Sequence, residues 1–280
     1  MNALHSFFCT LAKSSEEPTV FRKWIPFLHV YERIKHVELY HVIEEQLFTT
    51  YSQPIIDLKT NNIYGYEFLL RPVDHGPSFR PYELFQMAER AGMQAHLDAR
   101  ARIASIQNSA SSVPLGVKRF INFVPSSIYD PNHCLATTFK AAADAGVDPK
   151  DLVFEVVETE EINDIKHLKS IFKAYQEQGM KVALDDLGAG HATLSLLKEL
   201  QPDYVKIDRE IVSLCDEDHA KQHMIRQIVD IAKEMGAIVL AEGIERKEEV
   251  QIVLQCGVQL AQGYYFGRPV PTEKLNTTSN

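Results

Sequence analysis

The sequence predicts an α/β fold whose parallel strands close into a (β/α)8 barrel. From residue 50 onward, short apolar segments alternate with amphipathic ones, which is typical of a parallel sheet that is either doubly wound or barrel-shaped. Polar residues recur near the ends of nearly all the apolar segments, and the chain contains neither a G-x-G-x-x-G turn nor a P-loop. A doubly wound sheet gathers such residues at one switch point, whereas a barrel collects them from every strand, so we predict the barrel.

The composition limits the possible functions before any motif is considered. The chain has 280 residues, of which 45% are hydrophobic and 24% are charged, and its net charge is −9. This length suffices for one large α/β domain or two small ones. The negative charge argues against broad attraction to nucleic-acid polymers, so an anionic substrate would need local cations, either basic side chains or bound metals.

The apolar runs and the cysteines indicate a cytoplasmic protein. No apolar run approaches the roughly 18 residues of a membrane helix, and residues 1–18 lack the basic start of a signal peptide. The cysteines lie far apart and form no C-x-x-C pair, so they are predicted to be reduced thiols rather than metal ligands. They are Cys9, Cys134, Cys215 and Cys256.

The first 48 residues differ from the rest of the chain. Segment 27–48 has apolar residues at helical spacing, and the predicted stripe consists of Val30, Ile34, Val37 and Tyr40. Such a helix either covers one end of the main domain or serves as a regulatory or dimerising helix, and both interpretations stay open. We therefore expect an N-terminal helical extension at 1–48, a main domain at 49–275 and a disordered tail at 276–280.

Eight apolar segments after residue 50 are the predicted strands. They are YSQPIIDL, IYGYEFLL, VKRFINF, LVFEVV, KVALDD, YVKID, AIVLAEG and the weaker QLAQGYYF. Two of the helices between them keep the i, i+3, i+4, i+7 spacing of an amphipathic helix. Their apolar positions are Leu168, Ile171, Phe172 and Tyr175 in one, and Ile225, Ile228, Val229 and Ala232 in the other. The second helix is expected to end near Gly236, because glycine commonly terminates helices.

Polar residues lie at or near the ends of these strands. They are Glu67, Asn122, Glu155, Asp185, Lys206, Glu242 and Gln262. Taken singly, such residues are usually helix N-caps or surface loop residues. Lys206 with Asp208 would then be a plain ion pair, and Glu155 with Glu158 a solvated edge. Their recurrence on successive strands favours one shared site at the carboxyl ends of the strands.

The donor types in this set indicate divalent metals. The oxygen donors are Glu67, Asn122, Glu155, Asp185, Asp186 and Glu242. Clustered carboxylates repel one another unless cations lie between them, and oxygen-only donors favour Mg2+ or Mn2+ over zinc. Two cations bridged by a carboxylate would suit in-line displacement at phosphorus. Lys206 could then hold the attacking water or offset charge in the transition state.

Seven motifs in a fixed order resemble the EAL domain family. They are GYEFLLRP, INF, FEVVE, LDDLGAG, YVKIDRE, LAEGIE and QGYYFGRP, and the resemblance runs from about Tyr51 to Pro269. Members of this family are bacterial phosphodiesterases that linearise cyclic di-GMP. The resemblance implies a modified TIM barrel with one antiparallel strand, Mg2+ or Mn2+ as cofactors with Ca2+ as an inhibitor, and a homodimer.

The resemblance also implies roles for the strand-end residues. The metal ligands would be Glu67, Asn122, Glu155, Asp185, Asp186 and Glu242. Asp185 would bridge the two metals, and Lys206 would position the attacking water. Glu242 would lie near the second metal or act as general base, and both roles stay open. Gln262 would hold a water, and Glu158 would steady the loop after Asp186, which is tied to dimerisation and activation.

Further residues match positions that contact the substrate in the family. They are Gln53, Leu69, Arg71, Asp98, Glu245, Gln262 and Phe266. Leu69 and Arg71 complete the E-x-L-x-R signature, in which the guanidinium fork suits a substrate phosphate. The other positions lie near the guanine bases or the ribose-phosphate.

The chain departs from the family pattern mainly in one loop. Loop 186–193 is DLGAGHAT where DFGTGYSS is typical, and smaller departures occur at Phe68, Pro72 and Val157. None of the changed residues is a metal ligand of the family. The effect of the loop on turnover and dimer coupling stays open, as does the choice between a pH-responsive and a merely solvated His191.

The leading hypothesis is hydrolysis of cyclic di-GMP to linear pGpG by a two-metal mechanism, in which Lys206 and Glu242 assist proton movement. The rival hypothesis is a catalytically silent EAL domain that senses cyclic di-GMP or binds a protein partner. Degenerate members typically lose metal ligands, whereas every ligand position is filled here. A metal-dependent hydrolase of another phosphodiester is a third hypothesis.

Overall fold

The computed structural model describes residues 26–125, 128, 131–156, 165–187 and 194–277. Strands and helices alternate along the chain after the first two helices. In order they are α1 (Phe27–Lys35), α2 (Val37–Glu44), β1 (Phe48–Asp57), β2 (Ile63–Pro72), α3 (Pro81–Arg90), α4 (Gln94–Ala110), β3 (Lys118–Phe123), α5 (Pro131–Ala145), β4 (Leu152–Val156), α6 (Ile165–Glu177), β5 (Lys181–Leu187), α7 (Leu194–Leu200), β6 (Tyr204–Ile207), α8 (Arg209–Val212), α9 (His219–Met235), β7 (Ile238–Ala241), α10 (Lys247–Gln255), β8 (Leu260–Gln262) and β9 (Val270–Pro271). Short 3-10 turns follow α5 (Pro149–Asp151) and β9 (Thr272–Thr277).

Strands β1 to β8 form a closed barrel, because β1 pairs with both β8 and β2. Each strand from β2 to β8 is parallel to the next, whereas β1 runs antiparallel to β8. The short strand β9 adds to β1 at Tyr51 and Ser52. The predicted fold class is therefore confirmed, including its one antiparallel strand.

The interior of the barrel is an apolar layer beneath the strand ends. It consists of Ile55, Phe120, Val153, Ala183, Tyr204, Leu240 and Leu260. Successive side chains of a strand point to opposite faces, so every second residue faces inward. In the parallel strands β3 to β8, the residue two positions after each layer residue is therefore also directed inward, and each of those residues is polar. This alternation positions the candidate site.

The outward faces of the strands pack against the helices. The apolar positions predicted for the helices after β4 and β6 are buried, as in Leu168 and Phe172 of α6 and Ile225 and Val229 of α9. Helix α9 ends at Gly236, whose φ of 74° lies in the left-handed region that glycine tolerates best. Both helix predictions are confirmed. Within the described residues, no helix is long and apolar enough to cross a membrane.

The chain divides into two compact units, one of which combines the residues up to Thr49 with Leu70–Ala101. Inside this unit, Arg33 Nε donates a hydrogen bond to the Ala91 carbonyl at 3.0 Å. Arg100 donates to the carbonyls of Ile43 and Glu44 at 2.8 and 2.7 Å. The helices predicted as an N-terminal extension thus pack in the same unit as residues 70–101, which we had expected to belong to the main domain.

The helical stripe predicted for segment 27–48 is wrong in detail. The segment forms two helices, since His36 leaves the helical region with φ −116° and ψ 47°. Side chains before and after this break no longer share a face, so Ile34 is 39% exposed whereas Tyr40 is buried. The buried positions are instead Arg33 in α1 and Tyr40, Val42 and Ile43 in α2.

The last predicted strand is shorter in the structure than the sequence predicted. Strand β8 contains only Leu260–Gln262 of the predicted segment QLAQGYYF, because the chain turns after Gln262. The final 3-10 turn continues to Thr277 and so reaches into the segment 276–280 that we expected to be a tail. Residues 278–280 lie outside the described residues.

Candidate active site

One polar residue from each strand of the barrel lies at one end of the interior. These residues are Gln53 on β1, Glu67 on β2, Asn122 on β3, Glu155 on β4, Asp185 on β5, Lys206 on β6, Glu242 directly after β7 and Gln262 at the end of β8. Hydrogen bonds and ion pairs connect all eight. The structure therefore brings together the polar strand ends that the sequence singled out, with Gln53 as an additional member.

Lys206 is the centre of the acidic part of this site. Its Nζ lies 2.9 Å from Asp185 Oδ2, 2.9 Å from Glu155 Oε1 and 2.8 Å from Glu242 Oε1. Glu67 Oε1 is at 4.0 Å. The lysine side chain is only 1% exposed and Glu155 is fully buried, so these charges interact in a medium that screens them far less than water does. Lys206 does not form the alternative ion pair with Asp208. Asp208 instead caps α8, because its side chain accepts a hydrogen bond from the Glu210 N–H.

The protonation of this cluster follows from burial and from its excess of carboxylates. Burial raises the pKa of Glu155 well above the ordinary carboxyl value, and the neighbouring Glu67 and Asp185 add to the shift. Burial likewise raises the pKa of Glu242. Burial alone would lower the pKa of Lys206, but the field of the carboxylates outweighs it and holds that pKa well above its ordinary value. One ammonium is thus shared by four carboxylates, so it does not neutralise all of their negative charge.

Amide side chains orient the carboxylate of Glu67. Asn122 Nδ2 donates to Glu67 Oε1 at 3.1 Å, and Gln262 Nε2 donates to Glu67 Oε2 at 2.6 Å. The same Gln262 nitrogen donates to Gln53 Oε1 at 3.1 Å. Both oxygens of Glu67 are consequently held in place, and the carbonyl oxygens of Asn122 and Gln262 are directed away from it.

The donor set fits divalent cations in its chemistry. Glu155 Oε2 and Gln262 Oε1 are buried and lack a hydrogen-bond partner within the described residues. Glu155 Oε1 forms an ion pair with the Lys206 ammonium at 2.9 Å, which it shares with the other carboxylates. Such orphaned oxygens, together with uncompensated carboxylates, are what Mg2+ or Mn2+ would satisfy. In the described part of the chain, however, no group of three His, Cys, Asp or Glu side chains forms a ready-made metal site. Lys206 occupies the space between the carboxylates.

The loop that carries Glu242 is fastened by residues that the sequence analysis missed. Buried Glu249 accepts hydrogen bonds from the N–H groups of Glu245, Arg246 and Leu214 at 2.9, 3.0 and 2.9 Å. Gly263 lets the loop approach β8, because a Cβ there would lie 2.1 Å from the Ile244 carbonyl oxygen. Glu249 is part of the charged run RKEE, which is indistinguishable in sequence from a solvated helix face.

The other predicted substrate-contact residues each have local contacts of their own. Glu245 is paired with Arg209 at 2.8 Å on the surface, and Phe266 packs at the edge of the hydrophobic core. Leu69 and Arg71 lie on β2, where the Arg71 guanidinium donates to the Leu70 carbonyl at 2.7 Å. Asp98 is buried on α4.

The sequence also predicted roles for Glu158, for Asp186 and for the loop that follows it. Glu158 and the loop residues 188–193 lie outside the described residues, and of Asp186 only the backbone at the end of β5 is described. Their roles stay predictions.

A family model described as EAL domain matches residues 36–269 of the chain. A curated relative from Escherichia coli (strain K12), named "Probable cyclic di-GMP phosphodiesterase PdeG", is 32% identical over 225 residues. This alignment covers 78% of the chain but only 44% of the relative. The chain thus spans less than half the length of this relative.

The chain is also similar to solved structures, in both fold and sequence. A standalone versatile EAL protein from Vibrio cholerae O395, in a c-di-GMP bound form, has a TM-score of 0.72 and 32% identity, with coverage of 79% of this chain and 92% of the other. The manganese/cy-diGMP complex of Klebsiella pneumoniae BlrP1 at pH 9.0 has a TM-score of 0.74 and 30% identity, with coverage of 81% and 57%.

Proposed function

Because the chain belongs to the EAL domain family, we propose that it hydrolyses cyclic di-GMP to linear pGpG. The observation that carries the proposal is the convergence of one polar residue from each strand on a single site. Each acidic ligand position of the family pattern carries a carboxylate in this sequence. Homologues that carry phosphodiesterase names or hold c-di-GMP support the substrate. The sequence departures from the family pattern lie outside this set of strand-end residues.

Divalent metals would be held by the oxygen donors of the strand ends. The proposed ligands are Glu67, Asn122, Glu155, Asp185, Asp186 and Glu242, and the manganese complex of a homologue supports Mn2+ or Mg2+. When bound, such ions activate water and stabilise charge on a transferring phosphoryl group. The protein holds the Glu67 carboxylate by one hydrogen bond from Asn122 and one from Gln262.

Lys206 and Glu242 are the proposed catalytic residues. The Lys206 ammonium keeps three donors in a fixed position among carboxylates from β4, β5 and the end of β7. It would hold the attacking water or offset the charge that develops on the phosphate. Glu242 lies at 2.8 Å from this ammonium and would accept or deliver a proton during the reaction.

The remaining features of the family are part of the same proposal. Arg71, Leu69, Asp98, Glu245 and Phe266 would contact the substrate, and a homodimer in the cytoplasm would be the working form. Static light scattering of the purified protein measures the oligomeric state directly. A monomer at all concentrations would remove the dimer from the proposal without affecting the hydrolytic activity.

The proposal is tested by incubating the purified protein with cyclic di-GMP and Mn2+ and following pGpG by chromatography. We expect stoichiometric conversion to pGpG. Glu67→Ala should abolish turnover, because a proposed metal ligand and the acceptor of two amide hydrogen bonds are lost together. Glu210→Gln, at an exposed position on α8, is the matched control and should retain full activity.

The outcomes separate the rival hypotheses. Tight binding of cyclic di-GMP without any product, measured by equilibrium dialysis, would overturn the hydrolase and support a sensor. Product from a different phosphodiester, with cyclic di-GMP left intact, would support the third hypothesis. Unchanged kinetics in Glu67→Ala would contradict the assignment of the metal ligands.

A further inference from the structure

Helix α1 packs with its polar side toward the protein and presents its apolar side to solvent. Arg33 is buried, and its Nε donates a hydrogen bond to the Ala91 carbonyl at 3.0 Å. The imidazole of His29 lies against Gly92, where a Cβ would collide with Nδ1. A helix that covers a domain in water normally has the reverse orientation, with its apolar side inward. This orientation therefore indicates that a further surface packs against α1.

Four large apolar side chains make up the solvent side of α1. Phe27 is 81% exposed, Leu28 71%, Tyr31 51% and Ile34 39%. At the period of an α-helix these positions share one arc of about 120° of the helix surface. Contiguous exposed apolar residues mark interaction surfaces, whereas single scattered ones do not. These four side chains are the apolar patch of α1.

We infer that residues 4–11 of the same chain pack on the apolar patch of α1. This segment lies outside the described residues and has the sequence LHSFFCTL. Its large apolar side chains recur at the i, i+3, i+4, i+7 spacing of an amphipathic helix, and they are Leu4, Phe7, Phe8 and Leu11. The inference is thus a short helical hairpin, in which the apolar side of residues 4–11 meets that of α1.

The connection between the two segments has a suitable composition and length. Residues 12–25 contain the polar run KSSEEP, and Pro18 disfavours a continuous helix through this run. A polar linker of this length spans on average about 20 Å, whereas α1, with its nine residues, is about 13 Å long. Residues 4–11 can therefore reach either end of the patch. Their effective concentration there is on the order of millimolar, as is typical of short linkers.

A second copy of the chain is the less suitable occupant of the patch. A stable interface between proteins buries about 800 Å2 on each partner, and four side chains on one short helix supply only part of that area. A tethered segment needs less area, because the link within one chain removes much of the entropy cost of association. The inference concerns residues 1–35 alone and is independent of the proposed function.

The test is amide hydrogen exchange of α1 in the full chain, measured by mass spectrometry. Contact with residues 4–11 should slow this exchange, since a helix as short as α1 is not stable on its own. Phe7→Asp places a charge on the apolar side of the segment, so exchange in α1 should become about tenfold faster. Ser6→Asp is the matched control, because position 6 lies on the opposite side of the predicted helix. This control should exchange as the wild type does.

The same contact should be detectable from the α1 side. Tyr31→Asp changes an exposed side chain in the middle of the patch, so exchange in residues 4–11 should become faster. Leu115→Asp changes a side chain that is equally apolar and 73% exposed but lies shortly before β3, and it should leave residues 4–11 unaffected. Exchange in α9 should be the same in all variants, which shows that each one is folded. Acceleration in only one of the two directions would overturn the inference.

The concentration dependence of exchange distinguishes the possible occupants. Protection of α1 by its own chain is independent of protein concentration, and we expect this result over a hundredfold range. Protection that increases with concentration would assign the patch to a second copy and overturn the inference. Unprotected α1 amides in the wild type would also overturn it, as would equal exchange in the wild type and Phe7→Asp, because residues 4–11 then do not cover the helix.

Discussion

At the scale of single residues, Lys206 decides whether the acidic site is compatible with a folded barrel. Its ammonium has four carboxylates around it, three of which lie within 2.9 Å, and those of Glu67, Glu155 and Asp185 are buried. Removing one partner of a buried ion pair leaves uncompensated charge and typically costs about 3–5 kcal/mol. We therefore expect Lys206→Met to lower the free energy of unfolding by this amount at pH 8, measured by urea denaturation.

The pH dependence of this variant has a defined sign. The pKa values of Glu155 and Glu242 are raised in the folded protein by burial and by their neighbours. Between the ordinary and the raised pKa the folded protein holds more protons than the unfolded chain, so the free energy of unfolding falls as pH rises. Without Lys206 both pKa values rise further, so this fall should continue to higher pH than in the wild type.

Lys181→Met is the matched control for Lys206→Met. Lys181 also contacts a carboxylate closely, Asp203 at 2.7 Å, but its side chain is 46% exposed. Exposed ion pairs contribute about 0–1 kcal/mol, so this variant should unfold much like the wild type at every pH. Equal stability of the two variants at pH 8 would contradict the central role of Lys206.

Residue identities at the site were predictable, but their contacts were not. The recurrence of polar residues at the ends of successive strands predicted that Glu67, Asn122 and Glu155 share one site with Asp185. The partner of Gln53 depends on the turn that brings Gly267 near β1. Such a contact across the barrel has no signature in the local sequence.

At the scale of elements, Glu249 at the start of α10 fastens two loops. Its carboxylate accepts three backbone N–H groups, from Leu214, Glu245 and Arg246. Hydrogen bonds to a charged group contribute about 1.5–3 kcal/mol each, and an unpaired buried N–H has a similar cost. The donor residues Leu214, Glu245 and Arg246 are at least partly exposed, so water can replace much of this bonding in the variant. Glu249→Ala should therefore lower the free energy of unfolding by the equivalent of one such bond, about 1.5–3 kcal/mol.

Glu249→Ala should also speed amide hydrogen exchange in residues 242–246, since the loop after β7 loses its anchor. Mass spectrometry of peptic fragments measures this exchange. Glu248→Ala is the control, because Glu248 is exposed and lies 3.7 Å from Arg246. Exchange that is equally fast in both variants would show that the anchor is not Glu249.

The elements themselves were largely predictable, with one informative exception. The periodic positions of α6 and α9 follow from amphipathicity, and the end of α9 follows from Gly236. The break between α1 and α2 falls at His36, where neither glycine nor proline marks it. The apolar spacing continues across His36, so only the packing of the folded chain reveals that the helix stops there.

At the scale of the whole molecule, the barrel was predictable from the sequence, whereas the contacts inside the unit that contains α1 and α2 were not. The repeated alternation of strand and helix predicts a parallel sheet, and the polar residues at nearly all strand ends favour a barrel over a doubly wound sheet. The unit that contains α1 and α2 depends instead on contacts between residues far apart in sequence, such as Arg33 with Ala91 and Arg100 with Ile43. Neither arginine differs in sequence from an exposed helix residue.

At the same scale, the excess of carboxylates at the site should destabilise the metal-free protein, although the same carboxylates are needed to bind metal. Glu155 is fully buried, and burial raises its pKa. Its Oε2 has no hydrogen-bond partner within the described residues, and its Oε1 shares the Lys206 ammonium with Asp185 and Glu242. A neutral side chain of the same shape is therefore favoured there when no metal is bound. We expect Glu155→Gln to raise the free energy of unfolding of the metal-free protein at pH 8 by about 1–2 kcal/mol.

Mn2+ should reverse this order. A ligand that binds only the folded state at about 100 times its Kd stabilises that state by about 2.7 kcal/mol. The wild type should gain this amount in urea denaturation with Mn2+, whereas Glu155→Gln should gain almost nothing, because a proposed ligand has lost its charge. Glu210→Gln should behave as the wild type in both conditions. A metal-free Glu155→Gln protein that is less stable than the wild type would show that Lys206 already balances Glu155, and that the site does not need a second cation.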